Sequence, residues 1–428
     1  MRETIRWTAN TMPATDNCAA LGLITAQTAA KARAFHASIP TYQTTPLVRL
    51  DSLAARLGLK GLYVKDESFR FGLNAFKVLG GSYAIGAHIA SHLGKDLSEL
   101  SFAALASPET RARTGNITFY TATDGNHGRG VAWAARKLGQ RSVVYMPAGS
   151  STFRLEKIRN EGAEAFITTK NYDDTVRYVN SLATADANGV MVQDTAWPGY
   201  EKMPGWIMQG YSTMAAEAAE QLEDYGAGSP THVFVQAGVG SLAGAVQGYF
   251  STTCPDNSPV VTVVEASAAD CLYRSVMAGH LVSVGGDLAT IMAGLACGEA
   301  NTLSWDILKN RTDFFVSAPD WVSAKGMRVL AAPLKGDEPV LSGESGAVGL
   351  GLVATIMSDV GYAPLCKTLG LGPDSVVLCF STEGDTDPDK YREVVWDGLY
   401  PFGGDPFHEP RSDSVNDFDE WMNEFYTI

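Results

Sequence analysis

The chain has 428 residues, of which 45% are hydrophobic and only 19% charged, a composition that buries a large core and excludes a disordered chain. Its 33 basic and 47 acidic residues leave a net charge of −14, which argues against binding nucleic-acid phosphates or anionic membrane surfaces. Glycine is in excess: 43 residues is about 10%, against a typical value of roughly 7%, and with no collagen-like period the excess must be local.

No apolar leader opens the sequence, and no stretch reaches the roughly 18 apolar residues of a membrane span, so a soluble, cytoplasmic protein is expected. The six cysteines are spread too widely for a disulfide scaffold or a zinc site. One bridge, Cys271 to Cys297, stays open.

In chain order, strands are expected at Tyr63–Lys65, Thr118–Thr121, Ser142–Met146, Ala165–Thr168, His232–Gln236, Val260–Glu265 and Ser375–Phe380. Most are unbroken apolar runs, as in parallel strands buried on both faces. Helical patterns alternate with them at Phe76–Leu93, Asn126–Leu138, Thr152–Glu161, Asp173–Leu182, Gly205–Leu222, Ser241–Tyr249, Ser345–Ser358 and Asp387–Trp396. That alternation predicts an α/β fold with helices covering both sheet faces. The acidic stretch Asp413–Glu420 reads as a solvated end.

Three segments could carry chemistry. Lys77 opens an apolar helix, where the macrodipole disfavours a cation. Its neighbours Phe76, Val78 and Leu79 should desolvate it, lower its pKa and favour an amine that attacks carbonyls. The competing reading is a lysine that snorkels to solvent. Next, Thr123-Asp124-Gly125-Asn126-His127-Gly128 links a strand to a helix, which places Asp124 and Asn126 at the carboxyl edge of a parallel sheet, where ligands bind. Asp124 could equally be a plain N-cap, and His127 reads as structural. The third is Gly238-Val239-Gly240-Ser241-Leu242, a glycine turn between strand and helix that forms an anion cradle. The same glycines, with Glu265 downstream, also satisfy a dinucleotide fingerprint. His88 and His92 have a metal-compatible spacing, but the intervening glutamate of a metalloprotease motif is missing.

Taken together, these segments suit a cofactor that carries an aldehyde, a phenolic oxygen and a phosphate. Here the chain resembles the fold type II, tryptophan-synthase-β-like group of pyridoxal-phosphate enzymes, through Thr45-Pro46-Leu47-Val48-Arg49-Leu50, Tyr63-Val64-Lys65-Asp66-Glu67 and Phe76-Lys77. Within that group, the wording Tyr63–Lys77, Thr123–Gly130 and Gly238–Ser241 is similar to the diaminopropionate ammonia-lyases. The resemblance covers residues 40–395.

It implies two open, twisted, mostly parallel sheets flanked by helices, with pyridoxal 5′-phosphate between a large and a small domain. The large domain would comprise residues 1–85 and 200–428 and the small one 86–199, in a homodimer. Lys77 would hold the cofactor as a Schiff base, and Asn126 would donate to its phenolic oxygen. Gly238, Val239, Gly240, Ser241 and Leu242 would cradle the phosphate. Thr382, or else Ser381, would face the pyridine nitrogen. Glu344 would line the ring edge, unless it only complements a helix N-terminus. Asp124 and Asp194 would be the acid–base pair on the two faces, although Asp194 by itself reads as an N-cap.

The implied reaction eliminates ammonia from D- and L-2,3-diaminopropionate, giving pyruvate and a second ammonia. The nearest alternative is a serine or threonine dehydratase, or another β-eliminating or β-replacing enzyme of the same fold. An NAD-dependent oxidoreductase is the alternative of another class. The expected partner is a small amino acid, with no nucleic acid, membrane or metal.

Overall fold

Eleven strands form two sheets among the described residues of the computed structural model, which are 3–12, 15 and 18–401. The stretch Asp413–Glu420 lies outside them. The strands are β1 (Arg6–Ala9), β2 (Leu47–Arg49), β3 (Gly61–Asp66), β4 (Thr118–Ala122), β5 (Arg141–Met146), β6 (Glu164–Ile167), β7 (Gly189–Met191), β8 (His232–Gln236), β9 (Val260–Ala266), β10 (Phe314–Ala318) and β11 (Val376–Ser381). The larger sheet runs β1-β10-β9-β8-β11-β3-β2, parallel except for its two edge strands. The smaller runs β6-β5-β4-β7 and is wholly parallel. The architecture is the α/β, two-sheet fold expected from the sequence.

The unbroken apolar runs follow from burial on both faces. Along β8, β9 and β11, Val233, Val235, Val261, Val263, Leu378 and Phe380 enter one core. Their neighbours Phe234, Val264, Val377 and Cys379 enter the other. Successive side chains point to opposite faces, so apolar residues run on without the polar alternation of a one-sided sheet.

All seven expected strands are present. The sequence reading missed β1, β2 and β7, which have only three or four residues, and the buried β10. A short apolar run such as β10 cannot be told from a buried helix segment by periodicity. The expected helices are also present, some with shifted ends. The one expected from Phe76 starts at Val78, and the Phe76 N–H donates to the Thr382 carbonyl. The one expected from Ser345 starts at Val348, and the Ser345 N–H donates to Glu383 Oε1.

The helix Val78–His92 packs between the helices Asn126–Lys137 and Lys202–Asp224. A Cβ at Gly130 would stand 2.8 Å from Val78 Cα, so only glycine lets the first two helices come this close. That approach sets Lys77 beside the turn after β4. All six cysteines are free thiols, so the Cys271–Cys297 bridge is not formed. The His88 and His92 rings pack 4.7 Å apart. Among the described residues no single helix is long and apolar enough to cross a membrane.

Candidate active site

One cavity collects residues from the ends of four strands and the start of one helix. Lys77 precedes the helix Val78–His92, Asp124 and Asn126 follow β4, and Asp194 follows β7. Gly238–Leu242 follow β8, and Thr382 and Glu383 follow β11. Open α/β sheets bind ligands at such carboxyl ends. Thus ten of the eleven residues singled out from the sequence meet around one space.

Lys77 Nζ donates to Asp194 Oδ2 at 2.5 Å. The amine also lies 5.6 Å from the Phe76 ring and 5.9 Å from the Tyr211 ring. The expected lowering of its pKa is overturned. Burial does oppose the charge, but Asp194, with Tyr211 and Asp124 adding, outweighs it and holds Lys77 above the ordinary lysine range. Burial likewise works to raise Asp194, yet Lys77 and His127 hold it below the usual carboxylate range. The flanking apolar residues were visible in sequence, but the partner 117 positions away was not.

The Asp194 backbone is fixed from the glycine turn. Its carbonyl accepts from Ser241 Oγ and, at 2.8 Å, from Asn301 Nδ2. Gly240 takes φ of +94°, and a Cβ there would stand 2.8 Å from Ser304 Oγ. The helix Ser241–Thr253 that follows has no side-chain cap, so its first-turn N–H groups lack helical acceptors and point to an anion. Gly240→Ala is therefore expected to weaken phosphate-bearing cofactor binding at least tenfold, equivalent to about 1.4 kcal/mol of backbone strain. Equilibrium titration with pyridoxal phosphate checks it, and unchanged affinity would contradict the cradle.

Thr382 and Ser381 are told apart by their bonds. Thr382 Oγ1 accepts from Gln236 Nε2 at 2.9 Å, leaving its own proton free, and Thr382 lines the cavity. Ser381 Oγ donates to Ser342 Oγ, and Ser381 is not among the lining residues. Gln236 Oε1 is buried with no partner, a polar atom left for a ligand. A lysine, an uncapped anion cradle, a free hydroxyl proton and this oxygen fit the aldehyde, phosphate and ring of pyridoxal phosphate.

Two placements differ from expectation. Glu344 does not line this cavity. It lines the adjoining cleft, with Oε2 3.8 Å from Arg154 Nη2, and burial pushes its carboxyl up to about 7. Glu383 faces the cavity instead, and its Oε2 accepts from Asn126 Nδ2 at 2.5 Å. His127 lines the cavity too. Its Nε2 bonds the Val192 carbonyl at 2.9 Å, and burial holds it below the ordinary histidine range. Sequence reasoning also missed Tyr172, Tyr211 and Gln236, which no local motif marks.

The dinucleotide reading loses its acid. Both Glu265 oxygens accept backbone N–H groups, from Leu272 at 2.8 Å and Tyr273 at 2.7 Å. The residue caps the helix Cys271–Ala278 and is fully buried, so it cannot reach a ribose.

Residues 39–364 match the family model described as pyridoxal-phosphate dependent enzyme. The diaminopropionate ammonia-lyase of Salmonella typhimurium is 52% identical over 383 residues, covering 89% of this chain and 95% of that one. The crystal structure of the Escherichia coli diaminopropionate ammonia-lyase with D-serine superposes with a TM-score of 0.86 at 47% identity, covering 93% and 98% of the two chains. The same enzyme with an aminoacrylate–PLP azomethine reaction intermediate gives a TM-score of 0.84 at 48% identity, over the same shares. The chain belongs to the pyridoxal-phosphate-dependent enzymes and, within them, to the diaminopropionate ammonia-lyase family, with pyridoxal 5′-phosphate as its cofactor.

Proposed function

We propose that this enzyme eliminates ammonia from 2,3-diaminopropionate, in either the D or the L form, yielding pyruvate and a second ammonia. The observation that carries the reading is that Asp124 and Asp194 line the same cavity as Lys77 and the glycine cradle. When bound, the cofactor supplies an electron sink that acidifies the substrate α-proton and lets a β-substituent depart.

The chain's own residues do the rest. Lys77 would hold the cofactor covalently, with Asp194 Oδ2 the carboxylate that orients its Nζ. Gly238, Val239, Gly240, Ser241 and Leu242 hold the phosphate. Asn126 would orient the phenolic oxygen, and Thr382 Oγ1 would donate to the ring nitrogen. A β-amine leaves well only when protonated, so a carboxylate at Asp124 keeps the β-ammonium charged or takes the α-proton. Asp194 does the same from the opposite face for the other enantiomer.

The strands of the smaller sheet all fall between residues 118 and 191. This supports a small domain at 86–199, inserted between large-domain segments 1–85 and 200–428. The helix Val78–His92 runs through the first boundary. The family resemblance supports a cytoplasmic homodimer.

Purified enzyme with 2,3-diaminopropionate should release two ammonia per pyruvate, with serine and threonine much poorer substrates. Comparable turnover of serine would overturn the assignment in favour of a dehydratase. Asp124→Ser is expected to lower kcat/KM for diaminopropionate on the order of 100-fold or more and to raise the relative preference for serine. An unchanged preference ratio would remove Asp124 from the specificity argument.

A further inference from the structure

Arg154, on the helix Thr152–Asn160, is 8% exposed and has no assigned part so far. It lines a cleft of about 560 Å³ that shares Asp124 and Tyr172 with the cofactor cavity. Its stem lies on the turn that carries Asp124 and Asn126. A Cβ at Gly125 would meet Arg154 Cδ at 3.0 Å, and Gly125 has φ of +154°, a conformation only glycine adopts without strain. Its head lies among acids from several segments. Nη1 is 4.0 Å from Asp124 Oδ2, and Nη2 is 3.8 Å from Glu344 Oε2 and 3.4 Å from Thr386 Oγ1. Asp387 and Lys390 line the same cleft.

From Thr386 the contacts lead back to the cofactor cavity. Thr386 Oγ1 donates to Glu383 Oε2 at 3.1 Å, the same oxygen that accepts from Asn126. A single guanidinium thus touches both ends of the Asp124–Gly125–Asn126 turn, one by charge and the other through Thr386 and Glu383. A substrate carboxylate is a poor match for this cation, which carboxyl groups already surround. Its fixed charge is matched to holding those groups in place.

We propose that Arg154 is a positioning residue for the elimination, setting Asp124 against the substrate and Asn126 against the cofactor without touching either. This rests on the function proposed above. Arg154 carries its full charge at any working pH. Removing that charge takes from Glu344 the guanidinium that opposes the upward push of burial and of Glu383, which favours its protonated form.

The test compares R154M, which keeps the stem length without the charge, with R154K, which keeps the charge without the planar fork. In R154M kcat should fall on the order of 100-fold, as for a sub-ångström displacement of reacting groups, with KM changed less than about threefold. The acidic limb of its kcat/KM profile should move to higher pH. R154K should restore kcat to within about tenfold of the parent and return the limb. Independently of turnover, the pH midpoint of the bound cofactor's visible band should shift in R154M and not in R154K.

An R154M enzyme with parental kcat, pH profile and band midpoint would overturn the proposal. A kcat loss with an unmoved profile and band would overturn it too, reducing Arg154 to a packing role. If the parent enzyme fails to turn over diaminopropionate, the function reading fails, while the band titration still decides the role of Arg154.

Discussion

Replacing Lys77 with alanine is expected to lower the elimination rate on the order of 10⁴-fold or more, the loss typical of a covalent catalytic group. Borohydride reduction of the cofactor-loaded parent should label Lys77 and remove its visible band, whereas Lys77→Ala should give no adduct. Labelling of another lysine, or substantial activity in the variant, would refute the role assigned to Lys77. In the cofactor-free protein the substitution should also change stability, because Asp194 is almost wholly buried and its carboxylate faces the Lys77 ammonium. Deleting one partner of a buried pair leaves an uncompensated charge, at a cost of about 3–5 kcal/mol.

In the parent, Asp194 is held below its ordinary value, so its contribution to stability is complete above that value. It is lost as pH falls through the lowered pKa. In Lys77→Ala the largest depressing influence is gone and burial pushes Asp194 up, so the variant's deficit should shrink as the solution is acidified. Lys77→Ala combined with Asp194→Asn should recover most of the lost stability in urea unfolding. No recovery would place the cost elsewhere.

The second large effect concerns folding. Lys65, Glu67, Arg70 and Glu217 form a cluster whose side chains are all buried. Arg70 Nη2 lies 2.8 Å from Glu67 Oε1 and 2.7 Å from Glu217 Oε2, and Lys65 Nζ lies 2.8 Å from Glu217 Oε2. Two cations and two anions balance. Burial works to raise Glu217, but Arg70 and Lys65 overcome it and bring the carboxyl down to about 2. For Lys65 the balance runs the other way, burial pushing it down despite Glu217. Its ammonium is further satisfied by the Thr45 carbonyl and Gln221 Oε1, each at 2.7 Å.

Glu217→Gln should destabilise the protein by about 3–5 kcal/mol, because Arg70 cannot shed its charge. A loss under about 1 kcal/mol in urea unfolding would show that the cluster relaxes or admits water. Since the folded value lies below the ordinary 4.5, the parent's benefit is complete above that pH and lost as pH falls toward 2. The gap between parent and variant should therefore narrow in acid.

Much of the site was legible because its parts are local. The Asp124–Asn126 turn, the Gly238–Leu242 turn and Thr382 each sit just beyond a buried, mostly apolar strand, so short motifs mark them. Lys77 was legible as a misplaced cation at a helix start. Its protonation was not, because local apolar neighbours argued one way and a carboxylate on another strand end decided the other. Glu344 was misplaced for a related reason. The helix begins at Val348 rather than Ser345, and Glu383 holds the Ser345 N–H, so the preceding turn carries the Glu344 side chain to Arg154. The glycine excess resolves in part into positions that chain geometry requires, such as Gly125, Gly130 and Gly240.

By itself the sequence determined the α/β class, seven of the eleven strands and the three motifs that line the cavity, since these follow from local periodicity and turn chemistry. Only the tertiary structure decided which charges meet. The Lys77–Asp194 pair, the Arg154 cluster and the buried Glu217 network each join residues brought together by sheet order and helix packing. Charge interactions depend on distance and burial in space, and spacing along the chain records neither.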